Sequence, residues 1–251
     1  MNTFTVPVYS NGAISVIPPV NTGIRFGQIA TSANTLVKVL KNAYTEQTTN
    51  AQRSFVSSSA NDTSAGTGAR TLLLTYYDQN MAGPFTETIT MNGVSNVNTV
   101  SSTICFVESI VVATTGSGLT NAGTITMKAA AAGGGATITT LSAGDNRTLW
   151  AQHYVGVGLT CYITAFRGCS NTNGATAGAI TYINKVPLGL FELQISGKQH
   201  YIGNVGTIQV AQTMPIQVVG PAKIIQYVIP ESATANTMFA DFDFYEITTP
   251  G

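Results

Sequence analysis

Short stretches rich in Val, Ile, Thr, Tyr and Phe recur along the chain, separated by clusters of Gly, Asn and Ser. This spacing is typical of an all-β sandwich or barrel. In the stretch TLLLTYY, for example, Leu72, Leu74 and Tyr76 fall on one face of an extended strand. Stretches with a helical period are nearly absent. We therefore predict an all-β protein, a jelly-roll or related β-sandwich with a less regular N-terminal segment.

The same alternation predicts where the individual strands lie. Besides residues 71–77, strands are predicted at 85–91, 104–113, 124–128, 148–155, 160–166, 179–184, 191–195, 216–219, 223–229 and 237–247. The Asn92-Gly93 pair predicts a hairpin turn after residues 85–91. The stretches TTGSGLTNAG and AAAAGGGA predict surface loops. Residues 32–43 fit both a helix and a strand, and we favour a strand.

The N-terminal part of the chain looks less regular than the rest, because it carries Pro7, Pro18 and Pro19. We interpret residues 1–50 as a docking segment that packs on its own body or on a neighbour. Residues 51–251 would form the β-sandwich body, and a further division near residue 143 is left open. The chain length allows one or two domains.

The chain is poor in charge, which excludes several classes of function. Charged residues make up 9% of the 251 residues, against about 25% in an ordinary soluble domain. The 11 basic and 11 acidic side chains balance, so we expect no attraction to nucleic acid or to an anionic membrane surface. No stretch approaches the roughly 18 apolar residues of a membrane span. The N-terminus lacks the features of a signal peptide, which predicts synthesis in a cytoplasm.

The residues that most often carry chemistry form no recognised motif. His153 and His200 stand in no metal-binding spacing, and we interpret His153 as a structural histidine. The cysteines Cys105, Cys161 and Cys169 are interpreted as reduced, buried residues, with a bridge between the last two as the alternative. No phosphate-binding glycine motif occurs. We predict no enzyme activity, no cofactor and no metal.

Two groups of residues remain candidates for a ligand site or an interface. In the last strand, Ala240, Phe242 and Phe244 share one face, and the opposite face carries two carboxylates. Asp241 and Asp243 would lie roughly 7 Å apart, which suits a glycosidase pair or a shared calcium ion. The simpler alternatives are a solvated face or a subunit salt bridge. Trp150, Tyr154 and Tyr76 belong to an aromatic set, with Tyr77 and Tyr162, that would stack on sugars if exposed. For Trp150 we favour the alternative, an anchor in the core or at an interface.

One segment resembles a known kind of protein. SSSANDTSAGTGARTLLLTYYD, residues 57–78, is followed by GPFTETITMNG, residues 83–93. Together they resemble a module of virion-associated proteins of tailed bacteriophages, in which a strand, a Gly-rich loop ending in GTGAR and a second strand precede an NG hairpin. The resemblance extends over about residues 45–247. The proline-containing turn of the later module is replaced here by residues 155–160, VGVGLT.

The resemblance implies a virion structural protein such as a capsid decoration protein, a head fibre or a tail-associated fibre. It carries no established catalytic residue over to this chain. In the GTGAR loop, Arg70 could pair with Asp62 and hold the loop shut, and a solvated arginine at the strand entrance is the alternative.

We therefore expect a structural virion component that works through assembly contacts and forms a homo-oligomer, with a trimer favoured. Its partners would be copies of itself and other virion proteins. The alternative is a glycan-binding adhesin of the same particle that binds host surface glycan through loops 115–121 and 170–177. A third hypothesis is a polysaccharide hydrolase that uses Asp241 and Asp243.

Overall fold

The computed structural model describes residues 6–10, 13–17, 19–31, 37–171, 179–187, 200–202, 207–230 and 236–249. These residues are built almost entirely of antiparallel strands, so the all-β prediction is confirmed. A short 3-10 turn at Ala131–Gly133 is the helical element of the described residues. No helix in these ranges is both long and apolar enough to span a membrane.

In chain order the strands are β1 (Val6–Ser10), β2 (Ala13–Ile17), β3 (Asn21–Thr31), β4 (Val37–Lys38), β5 (Ser54–Ser57), β6 (Ala69–Tyr77), β7 (Phe85–Thr90), β8 (Val97–Asn98), β9 (Phe106–Thr115), β10 (Ile125–Lys128), β11 (Thr137–Leu141), β12 (Gln152–Val155), β13 (Leu159–Asn171), β14 (Ala179–Pro187), β15 (His200–Ile202), β16 (Thr207–Val219), β17 (Ala222–Pro230) and β18 (Asn236–Thr248). Most of the predicted strands are found within one to three residues of these bounds. The strand predicted at 191–195 and residues 32–36 lie outside the described part of the chain.

The chain divides into two compact units, and the division is not the predicted one. Unit 1 consists of residues 1–39 and 151–251, and unit 2 of residues 40–150. Residues 21–31 pack on the chain's own body, because β3 pairs with β18 along its whole length. Unit 1 is therefore assembled from the two ends of the chain, and unit 2 is inserted between them.

Besides the two-stranded β1-β2 sheet, unit 1 contains two larger sheets with a core between them. One sheet has the order β12-β17-β14-β15, with β4 paired to β17, and the other has the order β16-β13-β18-β3. Its main apolar cluster takes Val155 and Ile224 from the first sheet and Ile163, Phe242 and Phe244 from the second. Alternation along β18 is as predicted, since Ala240, Phe242 and Phe244 are buried on one face and both aspartates lie on the other. This arrangement is a β-sandwich.

Unit 2 also contains two antiparallel sheets, β11-β10-β5-β8 and β7-β6-β9. Buried side chains from both sheets, among them Phe55, Leu72, Leu74, Ile110 and Ile125, form its interior. Asn92 and Gly93 do form a turn, with φ of +61° at Gly93. The predicted hairpin is wrong, however, because β7 pairs with β6 and the next strand, β8, pairs with β5 in the other sheet. This turn therefore connects the two sheets.

Candidate functional site

The predicted aromatic site is not assembled at the surface. Tyr76, Trp150 and Tyr154 are all buried, and Trp150 packs on Tyr44 with ring centroids 5.0 Å apart. Tyr76 and Trp150 belong to unit 2, whereas Tyr154 belongs to unit 1. These rings serve the interior of two different units. The exposed aromatic platform that a glycan-binding adhesin would need is not formed by them.

Asp241 and Asp243 lie together, as predicted, but both are ion-paired with Arg167 on the neighbouring strand β13. The Arg167 Nε atom is 2.6 Å from Asp241 Oδ1, and the guanidinium also binds both oxygens of Asp243. The hydrogen bond to Asp243 raises the pKa of Arg167. Burial raises the pKa of Asp241, and the charge of Arg167 partly offsets that effect. A carboxylate pair held by a guanidinium is a structural cross-link between strands. Both residues that the hydrolase hypothesis needs are therefore bound by Arg167.

His153 is completely buried in unit 1 and takes part in a hydrogen-bonded chain of polar side chains. Its Nδ1 atom is 3.2 Å from Arg25, and its Nε2 atom is 2.9 Å from Glu246 Oε1. Asn21 donates to the other oxygen of Glu246. Because a guanidinium has only donors, Nδ1 must accept and Nε2 must carry the proton that is donated to Glu246. The prediction of a structural histidine agrees with this geometry.

Cys161 lies beside this pair, and the thiol, imidazole and carboxylate donor atoms lie within 4.8 Å of one another. These are ligand types that zinc uses. A metal ion on Nε2 would move the ring proton to Nδ1, where it would face the guanidinium of Arg25. It would also add positive charge to a cluster in which Arg25 already balances Glu246. We interpret the cluster as a satisfied core network, with Cys161 a buried thiol and not half of a disulfide.

The loop of the GTGAR segment is closed by Asp62, but not through Arg70. Arg70 donates from Nε to the carbonyl oxygen of Gly66, so the predicted Arg70–Asp62 pair is wrong. The carboxylate of Asp62 is completely buried and accepts four hydrogen bonds, whose donors are Ser57 Oγ at 2.6 Å, Ala69 N at 2.7 Å, Ala122 N at 2.8 Å and Gly123 N at 2.8 Å. One side chain thus fastens the loop after β5 to the loop after β9.

Four loops meet at this end of unit 2. The start of β6 is paired with the ends of both β7 and β9, and the end of β5 is paired with the start of β10, which also meets the end of β11. We call the surface formed by residues 58–68, 91–96, 116–124 and 142–147 the loop face. A second contact between its loops is a reciprocal pair of asparagines. Asn121 N donates to Asn146 Oδ1 at 3.1 Å, and Asn146 N donates to Asn121 Oδ1 at 3.0 Å.

The loop face is exposed, and its chemistry is that of small uncharged groups. Its exposed residues are mainly Ser, Thr, Asn, Ala and Gly. Within these four segments, all of which are described, Asp62 is buried, Asp145 is paired with Lys41, and Arg147 is the exposed charge. Two large apolar side chains project from the face, Val94 at 62% and Leu119 at 74% exposure.

Sequence reasoning placed Asp62 in a loop clamp but missed the loop face as a whole. It also missed Arg53, a buried guanidinium that donates to the carbonyl oxygens of Thr49, Ile104 and Ala129. Residues 116–121 of the loop predicted at 115–121 lie on the loop face, whereas residues 172–177 of the loop predicted at 170–177 lie outside the described residues.

Comparison with known proteins adds no family to this picture. No protein-family model matches the chain, and a search of curated proteins finds no match.

Proposed function

We propose that this chain is a structural component of a bacteriophage virion, a capsid decoration, minor capsid or fibre protein that works through assembly contacts. The observation that carries the proposal is the loop face, a pre-shaped and nearly uncharged surface at one end of unit 2. The resemblance of residues 57–93 to a virion module supports the same conclusion, because Asp62 and the GTGAR segment of that module build this face.

The physical argument starts from the cost of forming a contact. A surface whose loops are already fixed loses little conformational entropy when it binds. Small uncharged polar groups can be buried at an interface when hydrogen bonds to the partner replace those to water. An isolated buried charge carries a large desolvation penalty. The loop face meets both conditions through Asp62, the Asn121–Asn146 pair and its composition. Many copies on one particle would then give strong attachment from individually modest contacts.

The residues considered for chemistry support this proposal over catalysis or sugar binding. Arg167 holds Asp241 and Asp243, Glu246 and Arg25 hold His153, and the rings of Tyr76, Trp150 and Tyr154 are interior. We further propose, as the sequence predicts, that the chain assembles with copies of itself, with a trimer favoured.

The proposal is tested by quantitative mass spectrometry of purified particles from cells that express this chain. Empty heads and tails are separated and analysed alongside complete particles. We expect the chain in stoichiometric, multi-copy amounts in one of these fractions. If it is abundant in the infected cell and missing from every purified particle fraction, the proposal is wrong.

A further inference from the structure

Leu119 has a backbone conformation that leucine rarely adopts. Its φ angle is +59°, in the left-handed region where the Cβ atom of an ordinary residue crowds the following carbonyl. Gly118, one position earlier, would adopt this conformation without strain, yet it is not among the glycines with positive φ. The chain therefore places the strained conformation on a large apolar residue at the tip of a loop.

The loop around Leu119 is held on both sides, so the strain is imposed by its surroundings. Gly116 N and Gly118 N donate to the carbonyl oxygens of Gly68 and Thr67, both at 2.8 Å. The carbonyl oxygen of Leu119 accepts from Asn146 Nδ2 at 3.1 Å. At Gly116 an added Cβ atom would lie only 2.1 Å from the carbonyl oxygen of Gly66, so the loop packs closely against the GTGAR segment.

The side chain gains little from packing within unit 2 to offset this strain. It is 74% exposed, so it leaves most of its apolar surface in water. Backbone strain of this kind persists at sites where it serves binding or catalysis. A fixed loop that presents one large apolar side chain, next to small polar residues such as Ser117 and Thr120, offers a partner an apolar contact with a polar rim.

We propose that Leu119 is the anchor of a contact between copies of this chain, and that its side chain packs against apolar surface of a neighbouring copy. This proposal rests on the proposed assembly function. A second copy is favoured as the occupant because the 11 basic and 11 acidic residues balance, so copies do not repel one another. A copy also brings an apolar counterpart of its own, since Val94 on the same face is 62% exposed.

The test is sedimentation equilibrium of the full chain over a wide concentration range. Leu119→Asn removes the apolar contact and places a residue that tolerates positive φ. Val157→Asn is the matched control, because Val157 is a 57% exposed valine in a turn of unit 1. We expect Leu119→Asn to weaken self-association at least about tenfold, with a melting temperature no lower than that of the wild type. Val157→Asn should associate like the wild type.

Unchanged association of Leu119→Asn, or a wild-type chain that stays monomeric at every concentration, would overturn the proposal. Leu119→Gly is the second variant, because glycine suits the same φ angle. If both variants fold poorly, the leucine stabilises unit 2 itself and the proposal is also wrong. Particle mass spectrometry keeps this result separate from the proposed function. A monomer that is present in virions overturns the Leu119 contact alone, whereas an oligomer that is absent from them overturns the virion role alone.

Discussion

The substitution Asp62→Asn tests whether one buried carboxylate holds the loop face together. Each oxygen of Asp62 accepts two hydrogen bonds, and the side chain has no exposure to solvent. Asparagine has the same shape, but one of its two terminal atoms is an NH₂ group that cannot accept. The change therefore alters hydrogen bonding and charge while leaving the packing intact.

The expected loss follows from the geometry of the four donors. The best orientation places the NH₂ group beside Ser57 Oγ, because that hydroxyl can rotate and accept. The N–H of Gly123 then has no acceptor, which costs about 1–3 kcal/mol. The N–H groups of Ala69 and Ala122 keep a neutral acceptor in place of a charged one, which costs about 1 kcal/mol each. We expect the free energy of unfolding of unit 2 to fall by about 3–5 kcal/mol.

Denaturant unfolding followed by tryptophan fluorescence measures this change. Trp150 is the chain's one tryptophan and is buried in unit 2. Asp78→Asn is the matched control, because Asp78 uses only Oδ1 to accept from Asn80 N and Ala82 N, and an asparagine keeps that oxygen. The control should lose less than about 0.5 kcal/mol. If Asp62→Asn unfolds as the control does, the loops are held by other contacts and the reasoning is refuted.

Three further predictions concern single side chains. Burial raises the pKa of Cys105 to about 11, so its thiol should resist iodoacetamide in the folded chain near pH 8 and react after unfolding. Peptide mass spectrometry measures the labelling, and rapid labelling of the folded chain would contradict this prediction. Burial also raises the pKa of Asp241 in the folded chain. Ionised Asp241 therefore opposes folding above this raised pKa, and the penalty shrinks as the pH falls from the raised pKa towards the ordinary one. Asp241→Asn should accordingly be at least as stable as the wild type at neutral pH, with a difference that narrows in acid, and thermal unfolding at both pH values checks it; a clear loss at neutral pH would show that the pairing with Arg167 outweighs burial. His153→Ala removes the ring N–H that the buried Glu246 carboxylate accepts and leaves a cavity, so chemical denaturation should report a loss of about 3–5 kcal/mol. Near wild-type stability would mean that the network contributes little.

The strands and their buried faces could be predicted because they depend on local alternation. Successive side chains point to opposite sides of a strand, so the inward positions of Phe242 and Phe244 follow from the sequence around them. Asp241 and Asp243 were expected to meet solvent or a neighbouring subunit, whereas the structure pairs both with Arg167 of the same chain. Which arginine lies across the sheet depends on the register of β13 and β18, and that register is set by the whole sandwich.

The failed predictions share a non-local cause. The donors to Asp62 come from residues on both sides of it and from Ala122 and Gly123, and no local spacing signals that meeting. The Asn92-Gly93 turn has the chemistry of a hairpin, but the sheet to which the following strand belongs is decided by pairing with β5. Unit 1 combines both chain ends, so no composition shift marks its boundary with the inserted unit.

The low charge of the chain is concentrated in its effect on the surface, because several of the few charged side chains are buried. Five charged side chains are buried among the described residues, namely Arg53, Asp62, Glu108, Lys223 and Glu246, although charged residues are rarely buried in proteins. At least Arg53 and Asp62 hold backbone groups of several loops at once. A chain with so few charges that still places them inside leaves an exposed surface unusually poor in charge. Such a surface resists aggregation weakly in isolation and can be covered at small desolvation cost, and both properties would suit the proposed role in an assembly.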